Sequence, residues 1–373
     1  MKVAFISMHP APYRDALIGA LINHFADTID VYNLYDSDTG HRFWSLDKPE
    51  YMAECLTNDI GRASRLRIFL RLLRKFVFNS SYDCVIWPGY VEWPIRMAII
   101  LSALIRKKYV LSIDSVEQPA VSKITFVVKR WMIQRSDLVF VPGLASKKFM
   151  MEKFSVPESK IVCGAYALDG VALEKRIWEL RKSGVREKVR GKLGIKRDAS
   201  VFLMVANMIP TRQYPITSAG FVEFAKEHED CVFVMVGKGQ DYAKMTRYVK
   251  DHACLRAIEG CSFDEMLELY AASDVYVHGG KEPASTALVI GAIAHLPLIS
   301  SDAVGCSFDV LEDNGSGFMV RDYKSAHAWS ETFTKAMNNA DAWQGLGDKA
   351  RTLSRKLDAD KVAEEFARLL YLM

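Results

Sequence analysis

The stretch 274-DVYVHGGKEPASTALVIGAIAHLPLISSD-302 decides the fold. It opens on β-branched and aromatic residues, turns through Gly279 and Gly280, runs small and apolar, and returns to strand composition at Leu296-Pro297-Leu298-Ile299. A strand, a tight turn, a helix and another strand make a parallel crossover unit, since parallel strands need a long connection. The pattern repeats in both directions. Upstream, SVFLMVAN, CVFVMVG and LRAIEG read as strands separated by helical segments, and a charged helix, 171-VALEKRIWELRKSGVREKVRGKLGI-195, leads into the series. Before that helix, KVAFIS, DTIDVYNLY, DCVIWP, YVLSID and DLVFVP read as strands of a separate sheet, with helices such as 13-YRDALIGALINHF-25 and 93-WPIRMAIILSALIRK-107 between them. Two α/β domains in tandem are expected. The tail 358-DADKVAEEFARLLYLM-373 reads as an amphipathic helix with Val362, Phe366, Leu369 and Leu370 on one side.

Length and composition agree. A chain of 373 residues exceeds what one core usually supports, and half of it is hydrophobic against a quarter charged. A formal net charge of +4 is mild, far from the footprint of a nucleic-acid binder. The seven cysteines are scattered without a C-x-x-C pair, which suggests neither a disulfide framework nor a zinc site and fits a cytoplasmic compartment. The start, MKVAFISMHP, lacks the apolar core of a signal peptide, and 97-MAIILSALI-105 is too short to span a bilayer.

The chemistry concentrates in the second half. Two strand ends open into glycine-bearing turns, 237-GKG-239 and His278-Gly279-Gly280, at the carboxyl edge of one sheet, where ligands of open α/β folds bind. Pro283 suits a first helical position, and Ser285 and Thr286 would lie in the first turn, where free N–H groups and the helix dipole favour an anion such as phosphate. A tight turn ahead of a core helix would account for the same glycines.

The second half resembles the donor domain of the GT-B glycosyltransferases, in particular the large retaining family often called family 4. The matching residues are 203-LMVANMIPTRQYP-215, 237-GKG-239, 260-GCSFDEMLELYAASDVYV-277, Glu282-Pro283, Leu296-Pro297-Leu298-Ile299 and 301-SDAVGCSFDVLEDNGSGFMV-320, in the family's order and spacing. The first half is similar to a subset of that family acting on polysaccharide or glycolipid acceptors, through 9-HPAPYR-14, 88-PGYVEWP-94 and 136-SDLVFVPGLASKKFMMEKFSVPESKIVCGAYALD-169. The resemblance implies a GT-B fold of two Rossmann-like domains facing across a cleft: residues 1–172 for the acceptor, 173–355 for the nucleotide-sugar, and a helix, 356–373, crossing back to the first domain.

It also implies roles. Glu282 would contact the donor sugar. Arg212, with Asn207, Ser285 and Thr286, would face the diphosphate, while Gly237, Lys238, Gly239, Cys261, Ser262 and Phe263 would face the nucleotide, with Gly280 in the intervening turn. In a front-face displacement the leaving phosphate takes the acceptor proton, so no enzyme base is obligatory. Asp114 closes the strand 109-YVLSID-114 where related enzymes often carry a histidine, and would orient an acceptor hydroxyl; a helix cap or loop carboxylate would look the same in sequence. Arg14, Glu92 and Trp93 are further residues of the acceptor side, although a surface arginine and a buried aromatic are commonplace.

The chain departs from the family where the donor binds. Ile290 replaces the second glutamate, Asn207 replaces an arginine, Arg212 stands for a lysine, His295 for a glycine, and Ala284-Ser285 for Phe-Gly. These changes leave two readings open: an active transferase with an altered donor site, favoured by the retained Glu282, Arg212 and glycine turns, or an impaired homologue that binds other transferases.

Other classes fit less well. A dinucleotide enzyme would carry G-x-G-x-x-G after the first strand, where the chain has 7-SMHPAPYRD-15. A GT-B epimerase would not carry the full run through 301-SDAVG-305. A metal-dependent transferase would want Asp-x-Asp, and 36-DSD-38 lies in the wrong half. No cofactor and no essential metal are expected. One segment, 62-RASRLRIFLRLLRKFVF-78, sets Arg67, Arg71, Arg74 and Lys75 against Leu66, Phe69, Leu70, Leu73 and Phe76. Such a helix either covers its own sheet or lies on an anionic membrane face.

Overall fold

The computed structural model describes residues 1–8, 12–25, 28–35, 51–57, 65–117 and 121–373, with the side chains of residues 12 and 13 set aside. Within it, the described residues up to Asp169 form one compact unit together with Leu357–Met373, and Gly170–Lys356 form another. The triplet 36–38, residues 62–64 of the basic segment and residues 9–11 of the 9–14 motif lie outside the described residues.

The first unit holds a parallel sheet of β1 (Val3–Ser7), β2 (Ile29–Asn33), β3 (Ala53–Cys55), β4 (Cys84–Trp87), β5 (Lys108–Ser112), β6 (Leu138–Val141) and β7 (Ile161–Cys163), in the order β3-β2-β1-β4-β5-β6-β7. The second holds β8 (Ser200–Val205), β9 (Cys231–Val236), β10 (Leu255–Ile258), β11 (Val275–His278), β12 (Leu298–Ser301) and β13 (Gly317–Val320), in the order β10-β9-β8-β11-β12-β13, again parallel. The strands read as unbroken apolar runs because helices cover both faces; every residue of β1, β4, β6, β9, β11 and β12 is buried. In each sheet the chain starts near the middle, runs to one edge and restarts on the other side. This creates a switch point between β1 and β4 and another between β8 and β11, where the loops leaving adjacent strands diverge.

Three strands were not apparent in sequence. β3 and β7 are three residues long and β13 four, and all three sit at sheet edges, where pairing to one neighbour needs little intrinsic signal. The charged segment 171–195 is not one helix but two, Gly170–Lys182 and Val185–Lys192, broken where Gly184 takes φ +76°. The basic segment forms helix Arg65–Leu72 and continues through a wider turn, Leu73–Val77, closed by the Phe78 N–H on the Leu73 carbonyl at 2.9 Å.

The closing helix Ala359–Tyr371 belongs to the first unit, where Val362, Phe366 and Leu370 complete the core on the β1 and β6 side. Phe366 lies 4.8 Å from Phe140, centroid to centroid. Gly164 lets the helix approach, since a Cβ there would stand 2.5 Å from a Val362 methyl. In the second unit, Phe202, Phe221, Phe224, Phe233 and Phe333 form an aromatic core under β8 and β9, with Phe221 5.1 Å from both Phe233 and Phe333. Buried Arg190 ties the starts of two strands together: its guanidinium donates to the Ala199 and Ala272 carbonyls and to Asp274 at 2.7 Å, while Asp274 accepts the Val201 N–H at 2.8 Å.

Candidate active site

The switch point between β8 and β11 is formed by two loops that touch through backbone. The turn after β11 carries Gly280 at φ +78°, and its Lys281 N–H donates to the Thr211 carbonyl at 2.8 Å. Arg212, on the short turn Pro210–Arg212 after β8, donates from Nη1 to the Lys281 carbonyl at 2.8 Å and from Nη2 to Glu282 Oε2. The other oxygen of Glu282 accepts from Nε2 of His278, the last residue of β11. Arg212 and Glu282, two residues picked out in sequence, are thus hydrogen-bonded to one another.

Glu282 is not on the helix that follows. It pairs as a single bridge with Val304, its N–H donating to the Ala303 carbonyl at 3.3 Å and its carbonyl accepting the Gly305 N–H at 2.8 Å. The run 301–305 therefore fixes the backbone that presents the carboxylate. The helix itself is Thr286–Ile293, so Pro283 precedes its first residue by three positions instead of occupying it. Ser285 is the N-cap, accepting the Leu288 N–H at 3.3 Å, and is buried; Thr286 occupies the first helical position and is half-buried. With its side chain 11% exposed and bonded at both oxygens, Glu282 is not a solvated carboxylate resting on a helix dipole. Ile290 points into the core, 4% exposed.

A second cluster stands at the ends of β8, β9 and β10. The Met208 N–H donates to the Lys238 carbonyl at 2.7 Å, and the Asp241 N–H to the Met208 carbonyl at 2.9 Å. The glycines of 237–239 are required by this crossing: a Cβ on Gly237 would overlap the Ala206 carbonyl, and Gly239, at φ +143°, has the Met208 backbone where its Cβ would be. Asn207 is exposed between them. The Lys238 stem lies against Gly260, beside Cys261, whose thiol burial pushes up to about 11. Ser262 is occupied in a capping box with Glu265, accepting the Glu265 N–H at 3.2 Å while Glu265 Oε2 accepts the Ser262 N–H at 2.8 Å. Phe263 leaves 44% of its surface exposed at the start of helix Phe263–Ala272.

Tyr214 and His278, which sequence did not single out, bind these loops together. Tyr214 is fully buried and its hydroxyl reaches the Ala206 and Val236 carbonyls at 2.8 and 3.0 Å, joining the ends of β8 and β9. His278 was visible only as part of a glycine turn. His295, at φ +55°, bridges Glu174 at 2.7 Å and Asp348 at 2.6 Å, and Arg351 donates to Glu174 at 2.8 Å, so this position serves packing in the second unit. Burial raises the Glu174 carboxyl, but hydrogen bonds from His295 and Arg351 outweigh it and leave the group below its usual value.

In the first unit, Asp114 follows β5, is exposed, and accepts a hydrogen bond from the Tyr166 hydroxyl. Arg14 donates to the Ser7 hydroxyl at 3.0 Å and its guanidinium lies 5.8 Å from the Tyr166 ring centre. Arg14, Pro88, Ser112, Asp114 and Ala165 line one small pocket at this sheet edge. Glu92 precedes helix Trp93–Leu104 and makes no side-chain cap, and Trp93 packs on Phe69 at 5.6 Å.

Residues 185–353 match the family described as glycosyl transferases group 1. No curated protein matches the chain in sequence. Among solved structures, HepE of Anabaena in complex with UDP-glucose superimposes with a TM-score of 0.74 at 16% identity, over 100% of both chains. A glycosyltransferase of Rickettsia africae gives 0.76 at 13% identity, over 99% of this chain and 97% of that one. WaaG, a glycosyltransferase involved in lipopolysaccharide biosynthesis, gives 0.64 at 14% identity, over 98% and 99%. At such identities the likeness establishes the fold, which is GT-B.

Proposed function

We propose that this glycosyltransferase, whose residues 185–353 form its glycosyl transferases group 1 domain, moves a sugar from a nucleotide-sugar held by the second unit to a saccharide or lipid-linked acceptor held by the first. The transfer retains the anomeric configuration, needs no metal, and serves the building of a cell-surface polysaccharide or glycolipid. The observation that carries the proposal is the pairing of Arg212 with Glu282 at the switch point of the second sheet. A guanidinium suits phosphate oxygens and a carboxylate suits sugar hydroxyls, and here the two stand side by side. The complex of HepE with UDP-glucose supports the donor class, and the involvement of WaaG in lipopolysaccharide biosynthesis supports the acceptor class.

In this proposal the bond between the anomeric carbon and the diphosphate oxygen breaks as the acceptor oxygen bonds to the same face of that carbon. The acceptor proton passes to the departing phosphate. Arg212 and the start of helix Thr286–Ile293 receive the charge that grows there, Glu282 holds the ring, and Asp114 orients the acceptor hydroxyl. Asn207 joins Arg212 at the diphosphate, and Lys238 and Phe263 face the nucleotide.

Thermal shift with UDP, GDP, ADP and CMP tests the donor site. A nucleotide at a hundred times its Kd adds about 2.7 kcal/mol to stability, so one member of the panel is expected to raise Tm by a few degrees. Arg212→Ala is expected to remove most of that rise. No shift from any of the four would favour the second reading, a non-catalytic partner of other transferases. That reading draws on buried Ile290 and on an Arg212–Glu282 pair whose charges neutralise one another.

We further propose contact with an anionic membrane through the first unit. Helices Arg65–Leu72, Trp93–Leu104 and Lys123–Gln134 bury Ile68, Ile99 and Ile133 in one shared core cluster. Their outer side leaves Leu66, Leu70, Leu104, Ile124 and Val127 between 55% and 79% exposed. Arg67 and Arg74 are exposed beside them, whereas Arg71 and Lys75 pair with Glu54. Among the described residues no helix is long and apolar enough to cross a membrane. The protein is expected to float with phosphatidylglycerol-containing vesicles and not with neutral ones, and a Leu66→Ser, Leu70→Ser, Ile124→Ser variant is expected to stay in the pellet fraction. Equal flotation of the variant would dispose of the idea.

A further inference from the structure

We infer that His278 is a positioning residue that holds Glu282 in register for the donor sugar, an inference that rests on the donor-site reading above. His278 ends β11 with its side chain fully buried. Its Nε2 faces Glu282 Oε1. A carboxylate only accepts, so this nitrogen carries the hydrogen and the carboxylate sets the tautomer. Its Nδ1 lies 3.1 Å from the Tyr276 hydroxyl, which in turn lies 3.2 Å from the Val205 carbonyl. Burial holds the Tyr276 phenol well above its usual pKa, so the hydroxyl stays protonated; its single hydrogen serves either the Val205 carbonyl or Nδ1, which also has the Ser285 hydroxyl 3.5 Å away. The rings of Tyr270, Tyr276 and His278 also stack, at 5.3 and 6.1 Å with interplanar angles of 21° and 20°, which fixes the imidazole plane.

Glu282 therefore has two anchors of different kinds. Arg212 grips Oε2 from a partly exposed loop, and the same guanidinium is the group suited to the diphosphate. A bound diphosphate competes for it. His278 grips Oε1 from inside the sheet and has no access to the phosphates, because it is enclosed by Tyr276, Ser285 and Glu282. When Arg212 turns to the diphosphate, His278 keeps the carboxylate in place and Oε2 becomes the acceptor for a sugar hydroxyl. Nucleotide binding then depends on Arg212, whereas the extra affinity contributed by the sugar depends on His278.

Calorimetric titration of the full chain with two matched pairs, UDP with UDP-glucose and GDP with GDP-mannose, separates these contributions. For the pair that the wild type binds, His278→Leu is expected to leave the nucleotide affinity within about twofold. It is expected to weaken the nucleotide-sugar by about tenfold or more, the loss of one hydrogen bond to a charged group. His278→Gln, which restores a side-chain N–H, is expected to recover most of that loss. Tyr276→Phe keeps the ring stack and removes the hydroxyl, so it repeats the selective loss in smaller measure if His278→Leu fails to fold. Parallel weakening of nucleotide and nucleotide-sugar in these variants, or no change in either, overturns the role of His278 while leaving the donor site standing. A wild type that binds neither pair overturns the donor-site reading and this inference with it.

Discussion

Gly280→Ala is expected to destabilise the second unit by roughly 2–5 kcal/mol and to abolish nucleotide binding. The residue takes φ +78°, and a side chain in the left-handed region costs about 1–2 kcal/mol. A Cβ would also overlap the Thr211 carbonyl oxygen and stand 2.6 Å from the Arg212 Cα. Both neighbours are backbone, so neither yields by changing rotamer, and overpacking of this kind typically costs about 1–3 kcal/mol more. The strain falls on the turn that carries Arg212, which explains why ligand binding and stability should fail together. Urea denaturation followed by tryptophan fluorescence reads the first effect and nucleotide thermal shift the second. Gly19→Ala is the control, because Gly19 lies inside helix Pro12–Phe25 with nothing within 4 Å of its Cβ position. That change should be neutral or stabilise by up to about 1 kcal/mol. A Gly280→Ala variant as stable as the wild type would show that the Thr211 loop moves aside freely, and the rigid switch point argued for here would be lost.

The fold was legible because each central strand is buried on both faces and so appears in sequence as an apolar run. Of the four strands held by one neighbour among the described residues, only β10 was legible in sequence; Glu54 is one of only three residues of β3, and nothing in it announces a strand. The break at Gly184 was hidden by continuous charge on both sides, since helix propensity weighs a single glycine lightly against so many good helix formers. Within the site, Glu282 and Arg212 stood out as chemistry at a strand end, but their mutual contact joins positions seventy residues apart and depends on loop geometry. His278 was missed because a histidine before two glycines looks like part of a turn. The signal was present nonetheless. Tyr276 and His278 are two apart on one strand, hence on one face of the sheet, and His278 and Glu282 flank the tightest turn in the stretch. The glycines of 237–239 carried the opposite lesson. They look like a phosphate cradle, yet the space that a Cβ would need is taken by the backbone of residues 206–208. Their first requirement is the packing of two loops, and a ligand meets the surface that this packing creates.

Glu282→Gln is expected to lower the turnover of a nucleotide-sugar by about a hundred- to a thousandfold, a loss of roughly 3–4 kcal/mol of transition-state stabilisation. The substitution keeps shape and removes charge. It also sets an amide N–H or a weaker carbonyl opposite His278 and Arg212, both of which donate to the carboxylate in the native site. If the carboxylate holds the sugar more firmly as the ring flattens toward the transition state, kcat and kcat/KM fall together. If it serves binding alone, KM rises and kcat stays. The same position separates chemistry from structure. Glu282→Ala leaves the buried His278 and an Arg212 side chain that is only 17% exposed without their acceptor. It should therefore lose about 2 kcal/mol of stability, while the glutamine variant stays near the wild type. Release of free nucleotide from the nucleotide-sugar that gives the largest thermal shift measures the first effect, and the Tm of each variant the second. A glutamine variant with full turnover would mean that the carboxylate merely organises its loop. The sugar would then be held by other groups, with Glu282 reduced to the acceptor that keeps Arg212 and His278 in place.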